Sequence, residues 1–319
     1  MKKLVVMVAV AGITIAAFGQ NVSTVNQTGA GNGTTVLQTG ANTSDIDQIG
    51  LMNVSKVDQT GTGNYSKILQ KGEQNLSNVT QVGLFNEAYK KQFGETNNAM
   101  SIQQGNGNLS KQLQIGKTNY GFVWQAEEKN VAKQMQFGSL NDASAVQKGS
   151  ENLSKQSQFG EWNHAFVDQF GKGNEAYQMQ FVKHNTAIVN QIGEANVSMQ
   201  YQYGEMNKAV VTQFGEENKA VQTQGDCELG EADLNMALAT QIGHGNYSEQ
   251  SQYGTANVGL VLQDGCGNKS YQTQYGTFGF ASTSQFGIGN TATVTQYNLG
   301  QSSFITQFGA GNVTTITQF

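Results

Sequence analysis

Gln158-Phe159-Gly160-Glu161-Trp162-Asn163-His164-Ala165-Phe166-Val167-Asp168-Gln169 holds one full repeat of this chain. Along a strand, successive side chains point to opposite faces. On that period Asn163, Ala165, Val167 and Gln169 share one face, and His164, Phe166 and Asp168 share the other. The first face returns in nearly every repeat as Asn, a small residue, a middle residue and Gln. The second varies among Lys, Tyr, Thr, Leu and Glu. A face that repeats beside one that varies freely is the enclosed face. Each segment therefore reads as a seven-residue strand with Asn and Gln pointing inward at its two ends. The four-residue link carries a Gly, here Gly160, which supplies the positive φ of a tight reversal. A helix is excluded, because a Gly in every eleven residues and no 3.6-residue pattern would not hold one.

Working outward, Gln-x-Gly-x-x-Asn appears at Gln27, Gly29 and Asn32, at Gln48, Gly50 and Asn53, at Gln59, Gly61 and Asn64, and still at Gln307, Gly309 and Asn312. The period is 11 residues from Gln48 through Gln224 and again from Gln241 through Gln318. The loop between Gln38 and Asn42 is one residue short, and a six-residue insertion near 225–234 precedes Asn235. Counting from 21–27 to 312–318 gives 27 segments, so one repetitive domain is expected over 20–319.

A second alternation sets the number of strands per coil. The middle inward residue of odd segments is Gln at Gln112, Gln134, Gln156, Gln178, Gln200, Gln222, Gln250 and Gln272. In even segments it is small or apolar, as at Val123, Ala145, Val167, Val189, Val211, Ala239 and Val261. The true repeat is thus 22 residues, and the insertion preserves its parity. The expected fold is an all-β solenoid with two strands per coil, about 27 strands in 13.5 coils, one sheet carrying the Gln row and the other the Val row.

Stacked at about 4.8 Å, identical amides can donate to one another up the stack. The ladder residues expected inside include Asn152, Gln158, Asn163, Gln169, Asn174, Gln180, Asn196, Gln202, Asn207 and Gln213. A one-residue slip would turn all of them outward. Departures should mark weak coils: Glu127, Val182 and Asn298 in the Gly position, and Gly279 and Gln301 in the Asn position. The residue after the ladder Gln is often aromatic, as at Phe137, Phe159, Phe181, Tyr203, Tyr253, Tyr275, Tyr297, Phe308 and Phe319. Most follow odd strands and should line one edge, anchoring its loops.

The composition agrees. Of 319 residues, 39 are Gly and none is Pro, charged residues make up 13%, and mean hydropathy is −0.43. The missing Pro suits continuous strand, and the low charge argues against a charge-driven disordered tail. All 18 basic residues are Lys, and the formal charge of −5 leaves no footprint for a nucleic-acid partner. Lys2 and Lys3, the apolar run from Leu4 to Phe18, and Ala17-Phe18-Gly19 before Gln20 form a secretory signal over 1–19. It is too short to span a membrane stably, and no membrane insertion is expected.

Other sites are weighed and set aside. Cys227 and Cys266 fall in loops on opposite edges of a two-strand coil, beyond the Cα separation of about 7 Å that a disulfide allows. His164, His184 and His244 sit in separate repeats without ligand spacing, so no metal or cofactor is expected. Glu95, Glu161, Glu194, Glu205 and Glu216 read as a solvated loop edge, and Asp226, Glu228, Glu231 and Asp233 make the insertion acidic without an EF-hand pattern. The sequons, such as Asn53-Val54-Ser55, arise from the repeat and put their Asn inside. No nucleophile, base or phosphate loop stands out, which argues against an enzyme. A polysaccharide-active β-helix would need carboxylates clustered on one outward face. A monomeric surface adhesin or ice-binding module would need a flat Thr row, which only Thr291, Thr293, Thr295, Thr315 and Thr317 approach.

Gln158-x-Gly160-x-x-Asn163-x-Ala165-x-x-x-Gln169 resembles the curlin repeat, Gln-x-Gly-x-x-Asn-x-Ala-x-x-x-Gln, and the resemblance runs over essentially the whole chain after residue 19. It implies a secreted fimbrial subunit that passes through the periplasm and an outer-membrane export pore, then polymerises with itself into curli, the amyloid fibres of bacterial biofilms that support adhesion and aggregation. A nucleator curlin is implied as a further partner. The ladder Asn and Gln residues would be the core that supports polymerisation. The chain departs from the better-known curlins in having 27 segments where they have about ten, in Asn where their first strand begins with Ser, and in lacking an export-targeting stretch between Gly19 and Asn21.

Asn21, Ser23, Val25 and Gln27 at one end, and Asn312, Thr314, Ile316 and Gln318 at the other, are standard repeats without a cap. They are the expected polymerisation edges, pairing head to tail. An odd number of segments predicts a half-coil step between subunits, with Gln-row strands passing onto the Val-row sheet. Val25, Val36, Ile46, Val57, Ile68 and Val79 at the start, and Val294, Ile305 and Ile316 at the end, erase the distinction between the rows there. A fibre map should show segment 21–27 of the next subunit on the sheet opposite to the one that holds segment 312–318; whole-coil stacking, with that segment continuing the same sheet, would contradict it.

Overall fold

The computed structural model describes residues 20–225 and 233–319. Residues 1–19, where a secretory signal is expected, and Cys227, Asp226, Glu228 and Glu231 lie outside the described residues. The chain forms two compact units, Met1–Glu151 and Asn152–Phe319. Among the described residues every regular element is a strand, and within each unit the strands pair in parallel, every second strand along the chain being the neighbour.

In the first unit Leu109 pairs with Val131, 22 residues on, and Gln114 with Gln136. The first rung pairs Val22 with Thr43, only 21 residues on, and a register shift between Ala41 and Thr43 absorbs the shortened loop. In the second unit Leu153 pairs with Glu175 and His164 with Thr186. The insertion stretches two pairings to 28 residues, Lys208 with Met236 and Lys219 with Tyr247, and the alternation continues above it. Each unit is thus a β-solenoid with two strands per coil. The 27 segments appear as 25 strands, because Gly33–Leu51 and Val54–Glu73 each stay extended through a reversal and carry two segments.

The inward face is as the period-two reading places it. In His164–Lys172, Ala165, Val167 and Gln169 are buried while His164, Phe166 and Asp168 are only partly so. Middle positions build short apolar rows: Ile46, Val57, Ile68 and Val79 in the first unit, Val167, Val189, Val211 and Val261 in the second. The small inward position takes Ala or Ser for size. The buried hydroxyls of Ser44, Ser66, Ser77, Ser154, Ser198, Ser248 and Ser270 have no hydrogen-bond partner.

The loops explain why Gly recurs. Gly193 has φ +124°, and a Cβ there would stand 2.0 Å from the carbonyl oxygen of Gly215 on the next coil. A second positive φ falls just before most ladder Asn residues, at Gly173 and Gly245 but also at Ala195 (54°) and Met206 (61°), so composition marks it only in part. That residue is at a loop tip, and its side chain is unrestricted in type. Val182 takes the Gly position at φ 73°, a strained state for a β-branched residue. On the rung above it the continuous ladder stops at Gln202, leaving one bridge from Lys183 to Glu205. Asn298 at φ 76° goes with a similar stop at Gln296, whereas Glu127 at 75° leaves its ladder intact. Val182→Gly should therefore raise stability by about 1 kcal/mol after the entropy cost of Gly, and Gly193→Ala should lower it by more. Denaturant midpoints check both; an unchanged or lower midpoint for Val182→Gly would contradict the strain assignment.

Candidate functional site

The feature that organises the molecule is a set of side-chain amide columns. In the second unit, Nε2 of Gln158 donates to Oε1 of Gln180 at 3.0 Å, Gln180 to Gln202 at 2.8 Å and Gln202 to Gln224 at 2.9 Å. Gln169, Gln191 and Gln213 do the same on the other sheet at 2.8 Å. The first unit repeats this with Gln70, Gln92 and Gln114. The odd-row Gln178, Gln200 and Gln222 form a third column, at 2.9 and 3.0 Å. Gln112 joins Gln134 in the first unit, and Gln156 joins Gln178 and Gln250 joins Gln272 in the second.

The second N–H of these amides goes across the core rather than along it. Gln180 donates to the backbone carbonyl of His164 and Gln202 to that of Thr186, both at 2.9 Å. The middle Gln178 likewise reaches Phe166 O at 3.0 Å. Each column therefore ties its own sheet to the facing one. Asn columns run with the opposite sense, since Nδ2 of Asn174 donates back to Oδ1 of Asn152 at 3.1 Å and Asn196 back to Asn174 at 3.0 Å. The backbone N–H shares these acceptors, as Asn174 N does Asn152 Oδ1 at 3.0 Å. On the other loop edge the first unit keeps the side-chain bond, Asn97 to Asn75 at 3.0 Å, whereas at Asn185 and Asn207 the backbone N–H alone takes the neighbouring Oδ1.

All the expected ladder residues from Asn152 to Gln213 are at most 1% exposed, and the inner Gln row at most 3%. The edge residues are different. Asn21, Ser23 and Asn312 are exposed, and Val25, Gln27, Thr314, Ile316 and Gln318 are half-buried.

Two inward residues escaped the sequence reading. Asp233, counted with the acidic insertion, is 5% exposed, and its Oδ2 accepts from Asn207 Nδ2 at 3.2 Å. Elsewhere a loop carbonyl plays that part, as Gly204 O does for Asn185 at 2.8 Å. The carboxylate replaces a carbonyl that the insertion displaces.

The other is Lys90, the middle residue of its segment, lying between Ile68 and Gln112 in the odd column and only 1% exposed. Its Nζ donates to Gln112 Oε1. The inward residues around it are Ser77, Val79 and Gln81 on one facing strand and Ala99, Ser101 and Gln103 on the other, none of them ionisable. The break in the Ile68-to-Gln112 series was the available signal.

Outside the core, Phe159, Phe181 and Tyr203 stack at 5.1 and 5.3 Å. Tyr253, Tyr275, Tyr297 and Phe319 continue in the same manner at 5.2 to 5.4 Å, while Phe308 stacks on Phe286 on the other loop edge. The loop carboxylates pair between coils, Glu95 with Lys117 at 2.8 Å and Glu205 with Lys183 at 3.3 Å. His184 stacks on Trp162, and His244 stands 3.7 Å from Glu217. Cys266 is exposed.

Residues 184–215 match the family model of the curlin associated repeat. The matched stretch holds three curlin-like segments, with ladder residues Asn185, Gln191, Asn196, Gln202, Asn207 and Gln213. The spacing and the amide columns beyond it are the same, so this is a curlin-like repeat protein. No curated protein matches the chain in sequence.

Burial holds the Lys90 amine well below the usual lysine range. The unfolded chain then binds that proton more tightly than the folded one. The residue's contribution is fully favourable only above the ordinary pKa of about 10.4, and is lost as pH falls from there towards the folded value. Lys90→Gln should extend the amide column, remove this part of the pH slope and raise neutral-pH stability by about 1–3 kcal/mol. Denaturant midpoints over a pH series check it; parallel curves for the two proteins would contradict it.

Proposed function

We propose that this chain is a secreted structural subunit, not an enzyme, that polymerises head to tail into curli-like amyloid fibres of a biofilm matrix and thereby supports surface adhesion and aggregation. It would leave through the periplasm by an outer-membrane export pore, with a nucleator curlin starting the fibre at the bacterial surface. The curlin-like repeat and the solenoid support a structural role.

The observation that carries the reading is the polarity of the columns at the edge strands. Gln27 and Gln38 donate to Gln48 and Gln59, so their own carbonyl oxygens face the open edge. At the opposite edge Gln318 and Gln307 accept from Gln296 and Gln285 and make the usual cross-core bonds to the Ser302 and Thr291 carbonyls. The along-stack N–H of Gln318 then faces the open edge, and that of Gln307 rests on Thr314 Oγ1 at 3.0 Å. A second copy added head to tail brings donor to acceptor. Head-to-head addition brings acceptor to acceptor. Both edge strands also present unpaired backbone groups and parallel-strand geometry, which favour strand addition. The Thr patch that a monomeric ice-binding module would use is short: Thr293 on Thr315 in one column, and Thr273, Thr295 and Thr317 in the other.

Seeded elongation followed by thioflavin T and electron microscopy tests the reading. Ile316→Lys places a charge on the inward face of the edge strand and should slow elongation at least about tenfold. Thr315→Lys, on the outward face of the same strand, should leave it unchanged. Wild-type protein that stays monomeric, or Ile316→Lys that elongates normally, would overturn it.

A further inference from the structure

The outward faces of the second unit are not alike. On the sheet containing Lys219–Gln224, polar groups satisfy one another: Tyr177 donates to Glu175 at 2.8 Å beneath the Lys155 ammonium, and Tyr247 donates to Glu249 at 2.9 Å. The opposite sheet instead stacks Phe166, Ile188, Val210, Leu238 and Leu260 in register up its centre. Met236, Val258 and Phe280 widen this stripe on one flank, and Leu262 on the other. Among the three outward positions between the ladder Asn and Gln of each rung, the ionisable residues are His164 and Asp168 on the first and Lys208 on the third. Lys172, Glu194, Glu216, His244 and Asp264 lie beyond the ladder Gln towards the loop edge.

We infer that this face is a dry, face-to-face interface with a second copy of the chain, related by a two-fold axis parallel to the stack. The occupant follows from charge and repeat. The first rung carries a cationic-capable imidazole at one end and a carboxylate at the other. A two-fold axis along the stack reverses strand direction while keeping each rung level, so His164 of each copy faces Asp168 of the other. Asp168 has an outward carboxylate whose Oδ1 is buried and without a hydrogen-bond partner, and burial pushes its carboxyl above the usual range. Lys208 then meets Thr212, and no like charges oppose. Only a surface with the same rung spacing keeps five successive side chains in contact, and a second copy has it. One stripe is about 20 Å tall at the strand spacing. Pairing is therefore weak for a single chain and accumulates along a fibre through every second subunit, since a half-coil step puts the stripe on alternate faces, so the inference goes beyond polymerisation without requiring it.

Site-directed crosslinking tests it in the full chain with Cys227 and Cys266 replaced by Ser. Val210→Cys faces its own copy across the axis and should give a covalent dimer with a short bismaleimide, in fibres or in the soluble protein. Val221→Cys, outward on the opposite sheet, should not. Val210→Cys without dimer, or equal dimer from Val221→Cys, would overturn the interface. The charge geometry has its own readout in the Val210→Cys background. His164→Asp alone should reduce the dimer yield severalfold, and the exchanged pair His164→Asp with Asp168→His should restore it. A yield that ignores both would overturn the two-fold arrangement. Fibre formation, scored separately by microscopy, reports on polymerisation alone.

Discussion

A carboxamide has two N–H groups and a carbonyl, and in this solenoid the buried Gln side chain spends one N–H along the stack and the other across it. Gln180 shows the pattern: Gln202 Oε1 lies above it at 2.8 Å, and the His164 carbonyl across the core at 2.9 Å. Buried amides are expensive when unpaired. Here the same side chains that would destabilise a mis-registered stack become the bonds that hold two sheets at fixed height and fixed separation. The apolar rows fill space between the columns, but the columns set the register.

From that constraint much else follows. Strands must stay parallel and level, so each loop must reverse in four residues, and Gly193 must lie against Gly215 with no room for a Cβ. The outward positions escape the constraint and are free to carry Lys, Tyr, Leu or Glu. The columns are also directional. Gln amides donate one way along the stack and Asn amides the other way, so an exposed edge has a chemical sense as well as a shape. Lys90 and Asp233 show how far the rule bends: an amine can stand in a column where an amide belongs, and a carboxylate can take the place of a loop carbonyl.

The period-two face, the two-strand coil and the harmless parity of the insertion were all legible in the sequence, because each is a matter of spacing. Asn163, Gln169 and Gln178 lie inside as their periodicity demands, and Phe159, Phe181 and Tyr203 stack as their common position suggests. What spacing does not encode is rotamer and separation. The cross-sheet bond of Gln202 depends on how close the facing sheet comes, and Asn185 lacks the side-chain bond that Asn97 makes on the same loop edge, a difference the repeat spacing does not carry. The left-handed tip residues are Gly at Gly173, Gly245 and Gly267 but Ala or Met at Ala195 and Met206, so the sequence marks that conformation only in part. Val182 was flagged as a departure, and it goes with a shortened ladder, whereas Glu127 at the equivalent place does not.

Hydrogen exchange of the side-chain amides tests the central claim most directly. In protein labelled with nitrogen-15 at Gln, the carboxamide protons of the columns should resist exchange with deuterated water as strongly as the strand backbone does. Outward Gln104 provides an unprotected internal reference. Column protons that exchange as fast as those of Gln104 would show that the amides face water, and the account would fail.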